Sequence, residues 1–192
     1  MKGARCIGIL LCLAVIYGCA TGSRSTPREP SEKARRYYEK GVALSGEGRY
    51  SDALSSLKKA VRAHPDYGDA YYNMGVIYHA LELDEDAIKA YEKAISINPQ
   101  DAPAHNNLGN IYIRQIRLSE AIRKLERAVR IDPGYEQARH NLALAYYLAR
   151  MYNRAWEQIT VLNRLGVSPD PELVDAVAAA LNPEDEDMKG AE

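Results

Sequence analysis

The sequence predicts an all-α protein, a solenoid of about four helix-turn-helix repeats in a right-handed superhelix with a C-terminal capping helix. Two observations lead to this prediction. Apolar residues recur at helical spacing from Ala34 onward. In addition, prolines recur at intervals of 34 residues, at Pro65, Pro99 and Pro133. A fixed period of this length is typical of stacked helical hairpins, because one hairpin cannot bury its own apolar surface and must pack on the next.

Residues 1–18 are predicted to be a signal peptide of the lipoprotein type. Lys2 and Arg5 form a basic start, and the apolar run that follows has about half the length of a membrane-spanning helix. Small residues then surround Cys19. This arrangement resembles the bacterial lipobox, which implies that Cys19 is lipid-modified and is the first residue of the mature protein. Cleavage after Ala20, which would release the chain, is the alternative.

Residues 19–33 are predicted to be the lipidated cysteine and a flexible tether, because the segment is polar and has no apolar period. The three cysteines of the chain all lie before residue 20, so no disulfide is expected in the mature protein. Inner-membrane lipoproteins typically carry Asp directly after the lipidated cysteine, where this chain has Ala20. The resemblance therefore implies an outer-membrane lipoprotein that faces the periplasm.

Four repeats are predicted, at 34–67, 68–101, 102–135 and 136–169. Counted from the first residue of each repeat, position 8 is small and lets two helices approach closely: Gly41, Gly75, Gly109 and Ala143. Positions 4, 8 and 11 form one apolar stripe on a first helix, and positions 20, 24 and 27 form another on a second helix. This register resembles the tetratricopeptide-repeat (TPR) family. The resemblance implies helical hairpins stacked into a superhelix with a concave and a convex side.

The turn inside each repeat is expected at position 15, where the TPR motif often has glycine. Only Gly48 fits that pattern, whereas Glu82, Ile116 and Arg150 occupy the other three repeats. If this position must adopt a left-handed backbone, each of these three residues costs about 1 kcal/mol.

Residues 170–182 are predicted to form the capping helix, which covers the exposed end of the fourth repeat. Asp170 is expected to cap its N-terminus and Pro171 to occupy its first turn. Residues 183–192 contain five acidic side chains and are predicted to be a disordered tail.

A binding groove is predicted on the first helices, which line the concave face in TPR proteins. Position 6 carries Asn73, Asn107 and Asn141, and their amides can both donate to and accept from a peptide backbone. Such ladders occur in TPR superhelices that hold extended peptides. Bonds between these asparagines and neighbouring helices are the alternative. Six further residues are predicted to surround the ladder: Tyr38, Tyr72, Asn106, Asn110, His140 and Tyr147.

Several functions are disfavoured. The formal charge of −1 gives no case for nucleic-acid binding. The mature sequence contains no phosphate loop or hydrolase motif, and its four histidines fall in different repeats without the spacing of metal ligands. No catalytic residue, cofactor or metal is therefore predicted. Basic residues cluster in the third and fourth repeats, but interleaved glutamates favour a solvated helix face over an anion site.

The predicted function is a non-catalytic protein-protein interaction scaffold, lipid-anchored in the bacterial envelope, with a protein or an extended peptide in its groove. The order of lipobox, tether and tandem repeats resembles the TPR lipoproteins of type IV pilus biogenesis. That resemblance implies a role in the assembly or localisation of an envelope complex, such as the secretin. An adaptor for cell-wall hydrolases is one alternative, and a periplasmic solute- or glycan-binding protein is another.

Overall fold

The computed structural model describes residues 29–182, a range that contains nine α-helices and no β-strand. The helices are α1 Glu32–Gly46, α2 Tyr50–Ala63, α3 Gly68–Ala80, α4 Asp84–Ile97, α5 Ala102–Arg114, α6 Leu118–Ile131, α7 Glu136–Leu148, α8 Tyr152–Arg164 and α9 Pro171–Leu181. The predicted all-α stack of helix-turn-helix repeats is confirmed. The predicted signal peptide, Cys19, most of the tether and the acidic tail lie outside the described residues.

Side-chain caps fix the start of several helices. The hydroxyl of Ser31 accepts the backbone N–H of Ala34 at the start of α1, and the carboxylate of Asp101 accepts that of Ala104 at the start of α5. Asp170 caps α9 in the same way, with a proline in the first turn, as the sequence predicted. These caps satisfy N–H groups that a helix terminus leaves unpaired.

The two helices of each hairpin meet at the small residue of position 8. A Cβ atom added to Gly75 would lie 2.6 Å from the ring of Tyr91, closer than atoms can approach without a shift. At Gly41 and Gly109 it would lie 2.7 and 2.6 Å from the Cγ atom of a buried leucine. The fourth repeat carries a fully buried Ala143 instead. The close approach that the sequence predicted is therefore confirmed, and glycine is what permits it in three repeats.

Stacking of the hairpins buries a second stripe on the first helices. Positions 3, 7 and 10 are buried in repeats 2 to 4: Ala70, Met74, Ile77, Ala104, Leu108, Ile111, Ala138, Leu142 and Ala145. In the first repeat the same positions hold Arg36, Lys40 and Ala43, which are exposed. The stack thus begins on a solvated face at α1. At its other end α9 packs on α8 and buries Leu173 and Val177.

The first helices lie closer to one another than the second helices do. α1 contacts α3 and α5 contacts α7. Within residues 29–182, no pair of second helices packs together as closely as these first helices do. The first helices α1, α3, α5 and α7 therefore line the inner, concave side of the stack.

Hydrogen bonds join neighbouring first helices along this inner side. In each bond an asparagine at position 6 donates its amide N–H to a side chain 35 residues earlier. The three bonds are Asn73 Nδ2 to Tyr38 Oη at 3.3 Å, Asn107 Nδ2 to Tyr72 Oη at 3.4 Å, and Asn141 Nδ2 to Asn106 Oδ1 at 2.9 Å. Each bond links position 6 of one repeat to position 5 of the preceding repeat. The ladder therefore fixes how successive repeats align.

The turn of every repeat contains a left-handed residue at position 15. Gly48 has φ 74°, and Glu82, Ile116 and Arg150 have φ 58°, 57° and 58°. The predicted left-handed turn is confirmed. Ile116 is the least favourable of the three, because it is β-branched and its side chain is 79% exposed, so that no packing offsets the backbone strain.

Replacing Ile116 by glycine is expected to stabilise the fold by about 1 kcal/mol, since glycine adopts a left-handed φ without steric cost. The free energy of unfolding in urea measures this gain. The matched control is Ile116→Ala, which removes the exposed side chain but keeps Cβ and should leave stability within about 0.5 kcal/mol of the wild type. Equal stability of the glycine and alanine variants would contradict the strain argument.

The bond between Asn141 and Asn106 is expected to couple the third and fourth repeats. Asn141→Ala should destabilise the chain by about 1 to 3 kcal/mol, because it leaves the buried Oδ1 of Asn106 without a donor. Asn106→Ala should cost about as much, because it removes the bonds to both Asn107 and Asn141. In a double-mutant cycle the coupling energy should be about 1 kcal/mol, measured by urea unfolding. The control cycle pairs Asn141→Ala with Asn110→Ala, whose effects should add. Additive effects of Asn106→Ala and Asn141→Ala would show that the bond contributes nothing.

Candidate binding groove

Eight of the nine predicted groove residues are at least partly exposed on the inner side of the stack: Tyr38, Tyr72, Asn73, Asn107, Asn110, His140, Asn141 and Tyr147. The structure links the members at positions 5 and 6 through the ladder bonds. Asn110, His140 and Tyr147 form no hydrogen bond to the ladder in the described part of the chain. Tyr147 instead lies beside Tyr152, with ring centroids 6.0 Å apart.

Asn106 departs from the prediction. Its side chain is only 1% exposed and so does not reach the groove surface. Its Oδ1 accepts the amide of Asn141, and its Nδ2 donates to Oδ1 of Asn107 at 3.2 Å. A buried amide is stable only when it is hydrogen-bonded, and these two bonds meet that need. Asn106 therefore positions two ladder asparagines and is not itself a contact for a ligand.

The ladder asparagines use their donors within the protein, and two of them, Asn73 and Asn141, keep a free acceptor. Asn107 donates to Tyr72 and also to the buried Tyr91, at 3.2 Å, and Asn73 donates further to the carbonyl oxygen of Asp69. Within residues 29–182 no hydrogen bond reaches Oδ1 of Asn73 or Asn141. The amide nitrogens of the ladder therefore bond to neighbouring helices, which was the predicted alternative to contact with a peptide. The two free carbonyl oxygens can accept N–H groups of a bound segment.

Two tyrosines complete the donor set of the groove. Tyr38 lies against Tyr67, with ring centroids 4.9 Å apart, and Tyr72 lies against Tyr91 at 5.9 Å. Burial raises the pKa of the Tyr38 and Tyr72 hydroxyls above the ordinary value, so both stay protonated. Each hydroxyl accepts an asparagine N–H with its oxygen and keeps its own O–H to donate to a ligand.

Apolar side chains form most of a row at position 9, from which the sequence prediction named only Asn110. Val42 is 39% exposed, Val76 and Leu144 are partly exposed, and Asn110 interrupts the row. Position 9 belongs to the same helical face as the ladder, and the spacing places it in the groove. The prediction favoured amides and aromatic rings and therefore did not name the three apolar residues as contacts. The groove combines polar groups with an apolar row.

A charged cluster at the turn end of the groove was also missed. Arg114 donates to both carboxylate oxygens of Asp84 at 3.0 Å, which ties the third repeat to the second. The imidazole Nδ1 of His79 lies 3.8 Å from the same carboxylate. Burial and the nearby Arg114 lower the pKa of His79 below its ordinary value, so the ring is neutral at pH 7. The cluster therefore carries one cation and one anion.

The groove ends at the fourth repeat in a shallow depression of about 350 Å³. His140 and Asn141 form one wall, and Leu162, Val167 and Pro169 form the opposite one. This depression mixes apolar and amide groups, as the rest of the groove does. A segment lying along the ladder could extend into it.

Residues 29–182 contain neither a metal-binding cluster nor a membrane-spanning helix. No group of three or more His, Cys, Asp or Glu side chains in that range could hold a metal ion. None of the helices there has the length and apolar character needed to span a bilayer. His105 at position 4 is buried, and burial lowers its pKa, so it is a neutral packing residue.

Comparison with known proteins supports the repeat assignment. A family model described as the tetratricopeptide repeat matches residues 38–102 and 85–136, which together span just over half of the chain. No curated protein sequence matches the chain significantly.

Many solved structures are similar to this chain, and three of them illustrate the range. A crystal structure of MamA shares 26% identity, covers 69% of this chain and 78% of its own, and superposes with a TM-score of 0.66. PilF from Pseudomonas aeruginosa shares 25% identity over 83% of this chain and 72% of its own, with a TM-score of 0.67. YrrB, described as a TPR protein with an unusual peptide-binding site, shares 26% identity over 76% of this chain and 73% of its own, with a TM-score of 0.62. The family match and the repeat geometry lead to one conclusion: the chain belongs to the tetratricopeptide-repeat family.

Proposed function

We propose that this chain is a non-catalytic scaffold that holds an extended segment of a partner protein in its concave groove. The observation that carries the proposal is the ladder, which fixes two free carbonyl oxygens and two tyrosine hydroxyls at the groove surface. Acceptors and donors in one line suit the backbone of an extended peptide. The apolar row at position 9 supplies contact area for side chains of the partner.

The comparisons support the scaffold class. Tetratricopeptide repeats generally act as non-catalytic interaction modules, and the family model matches residues 38–136, which hold the first three repeats. YrrB, which resembles this chain, is described as having a peptide-binding site. The groove of this chain offers hydrogen-bonding groups along its length instead of one enclosed cavity, which favours an extended segment over a small solute.

The proposal places the scaffold in the bacterial envelope, anchored through lipid on Cys19 to an outer membrane and facing the periplasm. The order of lipobox, tether and tandem repeats supports this location. Its resemblance to TPR lipoproteins of type IV pilus biogenesis, together with the similarity to PilF, favours a partner in an envelope complex such as the secretin. A cell-wall hydrolase is the alternative partner.

The groove is tested by variants that place charge on its surface. Val42→Arg combined with Asn110→Arg should reduce crosslinking to the partner at least tenfold, because two cations would interrupt the apolar row. Crosslinking is measured from a photoreactive residue in place of Tyr147, which is partly exposed and outside the ladder, in envelope preparations, with partners identified by mass. The matched control is Ser55→Arg with Ser119→Arg, which adds the same charge to exposed sites on second helices. Equal crosslinking by both double variants would contradict groove binding.

The lipid anchor is tested at Cys19. Cells labelled with palmitate are expected to incorporate label into the wild-type chain and none into Cys19→Ala, and the variant should leave the membrane fraction. Cys12→Ala is the matched control and should stay labelled. A labelled Cys19→Ala variant would rule out this attachment site. An unlabelled wild-type chain in the soluble fraction would favour cleavage after Ala20.

A further inference from the structure

Exposed apolar side chains are concentrated at the turns between first and second helices. In the described residues eight large apolar side chains are exposed, and five of them lie at positions 13 to 16 of repeats 2 to 4: Leu81, Leu83, Ile116, Leu148 and Met151. Since the turns of successive repeats lie side by side in a stack, these residues form one surface, here named the turn edge. The turn of the first repeat, 46–49, carries no such residue.

The left-handed residues of the turn edge carry an ordered set of side chains. Position 15 is Glu82 in the second repeat, Ile116 in the third and Arg150 in the fourth, and all three are exposed. Glycine would remove the backbone strain at each of them, as Gly48 does in the first repeat. Strain held at exposed positions with no packing to offset it points to a role for the side chains. Their order along the edge is acidic, apolar, basic.

Neighbouring side chains add charge to both ends of the turn edge. Glu85 lies near Glu82 at the start of α4. Arg154 lies near Arg150 at the start of α8 and is 3.7 Å from Glu126, while Arg117 beside Ile116 is paired with Glu120. In residues 29–182 neither Glu82 nor Arg150 has an ion-pair partner within 4.0 Å. One end of the turn edge therefore presents unpaired negative charge and the other end presents unpaired positive charge, on either side of Ile116.

We propose that the turn edge binds a second copy of this chain, in an antiparallel pair whose two-fold axis passes through Ile116. Such an axis places Ile116 against Ile116 of the other copy. It also places Glu82 of each copy against Arg150 of the other, which gives two ion pairs. Interfaces of this type require a self-complementary surface, and the acidic, apolar, basic order is self-complementary only in the antiparallel arrangement. The remaining four apolar side chains of the turn edge lie on both sides of the axis and become covered together.

Other occupants fit the turn edge less well. A parallel pair would place Glu82 against Glu82 and Arg150 against Arg150, which is repulsive at both ends. An anionic membrane surface would attract Arg150 and Arg154 but repel Glu82 and Glu85. An acidic peptide meets the same conflict. The second copy is the occupant that pairs both charges, and it leaves the concave groove free, so the inference is independent of the proposed groove function.

The test is a charge swap in the full chain, measured by sedimentation in detergent over a range of protein concentrations. The wild type is expected to form dimers. Glu82→Arg and Arg150→Glu should each weaken self-association at least tenfold, because each variant opposes like charges at both ends. The two variants mixed together should form a heterodimer with near wild-type affinity. The Glu82→Arg chain is basic at positions 82 and 150, and the Arg150→Glu chain is acidic at both, so that opposite charges meet at each end. The double variant Glu82→Arg/Arg150→Glu should also dimerise.

Unfolding measurements on each variant distinguish a weakened dimer contact from a folding defect. The substitutions exchange one exposed left-handed residue for another, so the stability of the isolated chain should not change. Ile116→Gly should weaken the dimer at least tenfold while stabilising the monomer, and a folding defect cannot produce that combination. Self-association of equal strength in the wild type and all variants would place the contact outside the turn edge, for example in residues 1–28, and would overturn the proposal. A wild type that stays monomeric, or a mixture that fails to pair, would overturn it as well, and binding to anionic vesicles instead would point to a membrane.

Discussion

The fold depends on the close contact of two helices at position 8 of each repeat. Gly75 lies against the buried ring of Tyr91, and Gly41 and Gly109 lie against buried leucines, with no room for a Cβ atom. This contact sets the spacing of every hairpin, and a hairpin of that width still leaves one side of its first helix uncovered. The uncovered stripe at positions 3, 7 and 10 can be buried only by the preceding repeat, so the hairpins stack.

Stacking creates a polar requirement as well as an apolar one. Where first helices meet on the inner side, amides and hydroxyls cannot reach bulk water freely and must pair with each other. Asn106 meets this need by bonding to Asn107 and Asn141 from a buried position. The bond to Asn106 also fixes the amide of Asn141, whose oxygen stays free at the groove surface. In Asn73 and Asn141 the amide nitrogen therefore joins neighbouring helices, and the amide oxygen stays unbonded.

The turn between the two helices of each hairpin is constrained by backbone conformation. A chain that reverses between two closely packed helices passes through a left-handed residue, and the repeat places it at position 15 every time. Here three of four repeats carry side chains that this conformation disfavours, and these side chains are exposed. The concave groove and the turn edge are thus separate surfaces of one stack, one built from helix faces and the other from turns.

The sequence by itself determined the helices, their pairing and the left-handed turns, because a period of 34 repeats every local requirement at the same position. That the first helices line the concave side followed from the resemblance to the TPR family. Only the tertiary structure decided that Asn106 is buried, that the ladder nitrogens bond between repeats, and that His79, Asp84 and Arg114 meet. Periodicity specifies the direction of a side chain relative to its own helix. Its burial and its partner depend on residues about 35 positions away, whose distance is fixed only when the repeats pack.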